Sequence, residues 1–169
     1  MILVIDIGNT SIKMAVMDKG NIYKVLRTDN KSFESLIQKT TKQYPAIEEA
    51  AICNVGSFPE ELMELLRTTF KIVFEVNNSI KLPFNNHYQS LTLGNDRIAL
   101  VAGALSTASK NNALLVIDAG TCVTYDYVDE KENYFGGAIS PGLRLRYESL
   151  HNFTANLPLL HSEHVTDII

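Results

Sequence analysis

Two short segments combine an apolar run with an aspartate and a glycine, an arrangement suited to binding phosphate. Residues 3–8 read Leu-Val-Ile-Asp-Ile-Gly, and residues 115–120 read Leu-Val-Ile-Asp-Ala-Gly. The glycine permits a tight turn, so backbone N–H groups and a nearby threonine hydroxyl can face phosphate oxygens, while the aspartate can hold a cation or water beside them. One copy alone would be better explained by an ordinary turn after a strand. The repeat predicts a duplicated half and two loops that grip one polyphosphate from both sides.

The elements around these loops are predicted from apolar periodicity and turn residues. The chain opens as an antiparallel meander of three strands, at residues 1–7, 11–17 and 22–27, with a hairpin turn at 18–21. A mixture of helices and strands follows. Further strands are predicted at 50–55, 71–76, 113–117, 123–128 and 134–139, helices at 32–44, 58–70, 93–109 and 142–151, and a polar loop at 77–93. The chain is therefore predicted to have an α/β fold.

Composition and charge exclude several classes of function. The 169 residues carry a net charge of -4 and no lysine–arginine cluster that could neutralise a nucleic-acid backbone, so no nucleic-acid partner is expected. No apolar run approaches the roughly 20 residues that a membrane helix needs, and the first residues lack the features of a signal peptide. Cys53 and Cys122 lie far apart without metal-ligand spacing, which is typical of reduced thiols in a cytoplasmic protein.

Four segments in a fixed order make the sequence similar to one family. They are residues 6–10 (Asp-Ile-Gly-Asn-Thr), 94–97 (Gly-Asn-Asp-Arg), 118–121 (Asp-Ala-Gly-Thr) and 136–142 (Gly-Gly-Ala-Ile-Ser-Pro-Gly). The first segment alone is only moderately specific, whereas the ordered set is highly specific. From Met1 to about Pro158 the chain resembles the type III pantothenate kinases.

The resemblance implies an architecture and an activity. The family has the actin-like (ribonuclease H-like) α/β fold, with two similar domains, mixed sheets and flanking helices, and is usually a homodimer. Residues 1–110 would form the first domain and residues 111–169 the start of a second, incomplete one, since family members continue further. The implied reaction transfers the γ-phosphate of ATP to pantothenate, giving 4'-phosphopantothenate on the way to coenzyme A. It uses Mg²⁺ and a monovalent cation, K⁺ or NH₄⁺.

The same resemblance assigns residues to the nucleotide and the cations. The first loop is similar to the segment of the family that binds the ATP phosphates. The phosphate-binding residues would be Asp6, Gly8, Asn9, Thr10 and Lys13 in the first loop and Thr121 in the second. Mg²⁺ would lie near Asp6, and Asp118 is similar to the monovalent-cation ligand. Lys13 is equally well explained as a solvated strand residue.

For the second substrate, the resemblance makes Asp96 the general base and residues 94–97 the pantothenate contact, namely Gly94, Asn95, Asp96 and Arg97. Tyr88 is similar to a tyrosine that contacts substrate, although the stretch between Tyr88 and Gly94 lacks an expected proline. An aspartate at its reference pKa of about 3.9 can act as a base because the alcohol becomes strongly acidic late in a loose transition state. The forked donors of Arg97 suit the substrate carboxylate or the fixing of Asp96. Alone, Asp96 and Arg97 could instead be a helix cap and a surface ion pair.

Other functions remain open on the sequence. A sugar kinase or polyphosphate-type hydrolase of the same superfamily would keep both aspartate–glycine loops but would not need residues 94–97. A non-catalytic regulatory or accessory relative, or an inactive fragment, would fit the short C-terminal part. The intact Asp6, Asp96 and Asp118 favour an enzyme.

Overall fold

A computed structural model describes residues 1–90 and 93–161 of the chain. The chain divides into two compact units, the first formed by Met1–Lys81 and Leu91–Ala99 and the second by Leu82–Ser90 and Leu100–Ile169. Residues 91 and 92 of the predicted loop 77–93 lie outside the described residues. Residues 162–169 of the C-terminal tail do so as well.

The first unit is built on a five-stranded sheet. The meander is confirmed: β1 (Ile2–Ile7), β2 (Ile12–Asp18) and β3 (Asn21–Thr28) pair antiparallel, while β4 (Glu49–Asn54) and β5 (Ile72–Glu75) run parallel to β1, in the order β3-β2-β1-β4-β5. The β2–β3 turn places Lys19 at φ 48° and Gly20 at φ 81°, the left-handed pair that matches the twist of a hairpin. The parallel strands are joined through α1 (Phe33–Gln43) and α2 (Glu60–Thr69).

Alternation along the strands separates a core face from a second face of this sheet. Leu3, Ile5 and Ile7 of β1 are fully or almost fully buried and pack in one cluster with the apolar faces of both helices, including Phe33 and Leu66. Because successive side chains of a strand point to opposite faces, Asp6 lies on the face away from this core. The strand that buries the core therefore also presents the carboxylate at its C-terminal end.

The helix starts differ in detail from the sequence prediction. Ser32 stands at the N-cap of α1, but its side chain makes no cap hydrogen bond. The Asp29 carboxylate accepts a hydrogen bond from the Ser32 N–H at 2.9 Å instead, and this bond lowers the pKa of Asp29. In α2, Pro59 is the N-cap rather than a helical residue, because its ψ of 139° is extended.

The second unit holds a four-stranded sheet. Its order is β6-β9-β8-β7, in which β7 (Leu114–Ala119), β8 (Cys122–Val128) and β9 (Asn133–Pro141) pair antiparallel and the two-residue β6 (Asn85–Asn86) pairs parallel to β9. The helix α3 (Asn95–Thr107) is divided between the units after Ala99, and α4 (Leu143–Asn152) follows β9.

One face of the second sheet is buried around a polar pair. Tyr134 is completely buried and its hydroxyl donates to the Asp126 carboxylate at 2.6 Å, while its ring lies 5.4 Å from that of Phe84. The other face is apolar and open, because Leu115 is 62% and Ile117 55% exposed. The mixed sheets with flanking helices confirm the predicted α/β fold class. None of the helices among the described residues is long and apolar enough to cross a bilayer.

Candidate active site

The first glycine loop connects β1 to β2 at the C-terminal end of β1. Ile7 pairs with Ile12, and the Gly8 N–H donates to the Ser11 carbonyl at 3.2 Å, which closes a four-residue connection. The side chains at its tip, Asn9 and Thr10, are exposed. Short glycine turns with an exposed tip can receive a phosphate on their backbone N–H groups.

A carboxylate and an amine flank the base of this loop. Asp6 is the cross-strand partner of Lys13, and the Lys13 Nζ lies 3.6 Å from the Asp6 Oδ2. The two side chains are 45% and 53% exposed, so solvent screens the pair and it contributes little to stability. The pair is therefore available to a charged ligand at the loop.

The second glycine loop repeats this arrangement between β7 and β8. The Gly120 N–H donates to the Cys122 carbonyl at 2.9 Å, and Ala119 pairs with Val123, so the connection is one residue shorter than in the first hairpin. The Gly142 N–H donates to the Thr121 carbonyl at 3.0 Å. A Cβ on Gly142 would lie 2.3 Å from the Gly120 carbonyl oxygen, so only glycine fits behind this loop. Asp118 and Thr121 are both exposed there.

The start of α3 carries the predicted base. The Ile98 N–H donates to the Gly94 carbonyl, and the Asp96 carboxylate accepts a hydrogen bond from the Arg97 N–H at 2.8 Å. Asp96 is half-buried, whereas Arg97 is only 4% exposed. A Cβ on Gly94 would lie 2.4 Å from the Asp96 Oδ1, so the missing side chain of Gly94 makes room for the carboxylate.

Cys53 connects the first loop to Asp96 electrostatically. It lies on β4 as the cross-strand partner of Asp6, and its thiol is half-buried. Burial, and then the negative charges of Asp6 and Asp96, raise the pKa of this thiol from 9.0 to about 12. Both carboxylates therefore lie near one neutral thiol in the same unit. The sequence predicted an ordinary reduced cysteine at position 53, because its place beside Asp6 depends on the parallel pairing of β4 with β1.

Tyr88 lies in the second unit and packs on the glycine-rich strand β9. Gly136 has φ 83°, and a Cβ at that position would lie 2.2 Å from the ring carbon Cδ2 of Tyr88. The Tyr88 N–H donates to the Asn86 side-chain oxygen at 2.9 Å, and this bond restrains the backbone that carries the Tyr88 ring. The first unit therefore holds the predicted residues of the first loop and of residues 94–97, while the second holds Tyr88, Asp118 and Thr121.

The comparison with protein families decides the relationship of this chain. The family model described as "Type III pantothenate kinase" matches residues 2–168. The chain belongs to the type III pantothenate kinase family. This confirms the resemblance expected from the four ordered segments.

Named relatives agree with the family. The type III pantothenate kinase of Flavobacterium johnsoniae is 44% identical over 95% of this chain, and that of Flavobacterium psychrophilum is 46% identical over the same share. The chain covers 65% and 66% of these two relatives, which is just under two thirds of their length.

A solved structure supports the fold. A Campylobacter jejuni protein described as a Baf family transcriptional activator superposes with a TM-score of 0.53 at 23% identity, covering 89% of this chain and 59% of its own. At that identity the likeness shows a shared fold alone.

The carboxylates beside the glycine loops suit cations that are also bound by the phosphates of a ligand. Within residues 1–90 and 93–161, no group of three or more His, Cys, Asp and Glu side chains could hold a metal ion. Mg²⁺ commonly binds through one or two carboxylates and takes its other ligands from water and substrate phosphates. Asp6 is an accessible carboxylate beside the first glycine loop and so a donor of this kind, and Asp118 is an exposed carboxylate beside the second loop.

Proposed function

We propose that this member of the type III pantothenate kinase family phosphorylates pantothenate with ATP to give 4'-phosphopantothenate, the first step of coenzyme A biosynthesis. The observation that carries the proposal is that one turn, residues 54–56, contacts both the first glycine loop and the start of α3. Gly56 lies against Gly8, and the side chain of Asn95, the neighbour of Asp96, donates to the Asn54 carbonyl at 3.1 Å. The negative charges of Asp6 and Asp96, which both raise the pKa of Cys53, agree with this neighbourhood. Family membership names the reaction that this neighbourhood would perform.

The two glycine loops bind the ATP phosphates in this proposal. In the first loop, Gly8 lets the backbone approach the phosphates, Asn9 and Thr10 present polar groups from an exposed tip, and Lys13 adds a positive charge. In the second loop the exposed Thr121 contributes a hydroxyl. Phosphoryl transfer requires mainly positioning and charge neutralisation, and loops of this kind supply both.

Pantothenate binds beside the start of α3, with contacts from Gly94, Asn95 and Arg97, and Tyr88 keeps the substrate contact that the family resemblance implies for it. Asp96 accepts the proton of the pantothenate hydroxyl as its oxygen attacks the γ-phosphorus and the bond to the ADP oxygen breaks. The Asp96 carboxylate occupies the space that Gly94 leaves open, and the Arg97 N–H orients one of the carboxylate oxygens. The remaining lone pairs of the half-buried carboxylate then serve the substrate.

Two cations complete the proposal. Asp6 would help to hold Mg²⁺, which would supply charge neutralisation at the phosphates. Asp118 would hold K⁺ or NH₄⁺ beside the second loop. The protein acts as a cytoplasmic homodimer, an assembly that light scattering of the purified chain tests directly.

The proposal is tested by following ADP release from ATP, Mg²⁺ and K⁺ with and without pantothenate. We expect release that depends on pantothenate and falls 10²- to 10⁴-fold in Asp96→Asn, because general-base catalysis contributes about that factor. Glu130→Gln, an exposed turn residue, removes a carboxylate elsewhere and should leave turnover unchanged. ATP binding with no pantothenate-dependent release in the wild type would contradict the proposal and favour the regulatory alternative.

A further inference from the structure

A turn that follows β4 holds the first glycine loop by its backbone. The N–H groups of Val55 and Gly56 both donate to the carbonyl of Ile7, at 3.0 and 3.2 Å. Ile7 is the last residue of β1 and immediately precedes Gly8. Two donors on one carbonyl fix the point from which the loop departs.

The same turn lies directly against Gly8. A Cβ on Gly56 would be 2.5 Å from the Gly8 carbonyl oxygen and 3.0 Å from its carbon. Real Cβ atoms do not approach a backbone so closely, so any larger residue at position 56 must displace the loop. Since Gly56 does not have a positive φ, this contact, rather than backbone strain, is what requires glycine.

Asn54 carries the connection from this turn to α3. Its side-chain oxygen accepts from the Gly56 N–H at 3.0 Å, which stabilises the turn. Its backbone carbonyl accepts from the Asn95 side-chain amide at 3.1 Å. Asn95 is the first residue of α3 and the neighbour of Asp96. A continuous set of contacts thus runs from Gly8 through Gly56, Asn54 and Asn95 to the candidate base, all within the first unit.

We infer that Asn54, Gly56 and Asn95 are positioning residues that set the separation between the first phosphate loop and Asp96. The inference rests on the proposed kinase function for its catalytic consequence. It gives the Asn95 side chain a role inside the protein, as a tether of α3 to the β4 turn, and leaves the Asn95 backbone as its predicted contact with the substrate. Displacements of about 1 Å in such a geometry can cost on the order of 10²-fold in rate.

Steady-state kinetics on Gly56→Ala and Asn95→Ala test the catalytic consequence. We expect kcat to fall by about 10²-fold in Gly56→Ala and by about tenfold in Asn95→Ala, with the KM for pantothenate within twofold of wild type. Gly103→Ala is the matched control, because a Cβ there meets nothing within 4 Å, and it should leave kcat unchanged. A raised KM for pantothenate at unchanged kcat in Asn95→Ala would show that the Asn95 side chain contacts the substrate instead of tethering α3, and would overturn the inference.

Amide NMR tests the linkage whether or not the chain turns over pantothenate. In Asn95→Ala, the Val55 and Gly56 amides should shift and exchange faster with solvent; in Asn54→Ala, which adds no volume, the Gly8 amide should shift as well. Unperturbed Gly8, Val55 and Gly56 resonances in both folded variants would refute the linkage. An inactive wild type that still shows these shifts would remove the kinase proposal and leave the mechanical connection standing.

Discussion

Asp6 and Cys53 are cross-strand partners on β1 and β4, and the thiol is kept neutral by burial and by the carboxylates around it. A thiolate at this position would add a third negative charge to a neighbourhood proposed to receive ATP phosphates. The raised pKa therefore has consequences for reactivity and for stability.

Thiol labelling should distinguish the two cysteines. Cys122 is exposed, whereas Cys53 is half-buried with its pKa raised to about 12. Because the thiolate is the reactive form, a disulfide reagent at pH 8 should label one thiol per folded chain rapidly and the second only after denaturation. Cys122→Ser should abolish the rapid phase, and a rapid phase that survives this substitution would show that Cys53 is reactive.

Stability should fall as the pH rises from about 9 towards about 12. In that interval the unfolded chain releases the Cys53 proton, since the ordinary pKa is 9.0, while the folded chain retains it. The unfolded state then binds fewer protons, so the free energy of unfolding decreases with pH. Urea unfolding of wild type and Cys53→Ser at pH 8 and pH 11 measures this. Cys53→Ser should lose less stability between the two pH values, and equal losses would contradict the assigned pKa.

Gly94→Ala should impair the proposed reaction without unfolding the chain. The added Cβ would meet the Asp96 Oδ1 at 2.4 Å, so the carboxylate must move from the position that Gly94 leaves for it. We expect kcat to drop by about 10²-fold, with thermal unfolding little changed. Gly103→Ala adds the same methyl group in open space and serves as control. Normal turnover in Gly94→Ala would show that Asp96 need not occupy the observed position.

Lys13→Ala should weaken ATP binding while leaving stability nearly unchanged. The ion pair with Asp6 is about half exposed and is worth less than about 1 kcal/mol to folding. A lysine–phosphate hydrogen bond is worth more, so the KM for ATP should rise by about tenfold or more. Lys24→Ala removes an exposed lysine from β3 and should change neither quantity. An unaltered KM in Lys13→Ala would return Lys13 to the role of a solvated strand residue.

Local patterns in the sequence predicted most of the elements. The meander, the β2–β3 hairpin and the duplicated strand–turn–strand units follow from short-range alternation and from turn residues such as Gly20, and the structure contains all of them. The family also followed from the ordered motifs. The roles assigned to single residues, and the division into residues 1–110 and 111–169, stay predictions.

What the sequence did not reveal depends on contacts between distant residues. Gly56 approaches Gly8 across 48 positions of the chain, and Asn95 reaches Asn54 across 41. No periodicity encodes such pairs, because they form only when β4 pairs parallel to β1 and the start of α3 packs at the C-terminal end of β4. The electrostatic environment of Cys53 has the same origin.

The two glycine hairpins differ in charge although they repeat the same strand–turn–strand motif. In the first hairpin the register places Lys13 opposite Asp6, whereas in the second the shorter turn places Thr124 opposite Asp118. The first hairpin thus has an ion pair at this position, and the second has a carboxylate beside a neutral hydroxyl. The repeated motif is therefore similar in its backbone and asymmetric in its charge, and the asymmetry comes from one side chain, a lysine in the first hairpin and a threonine in the second.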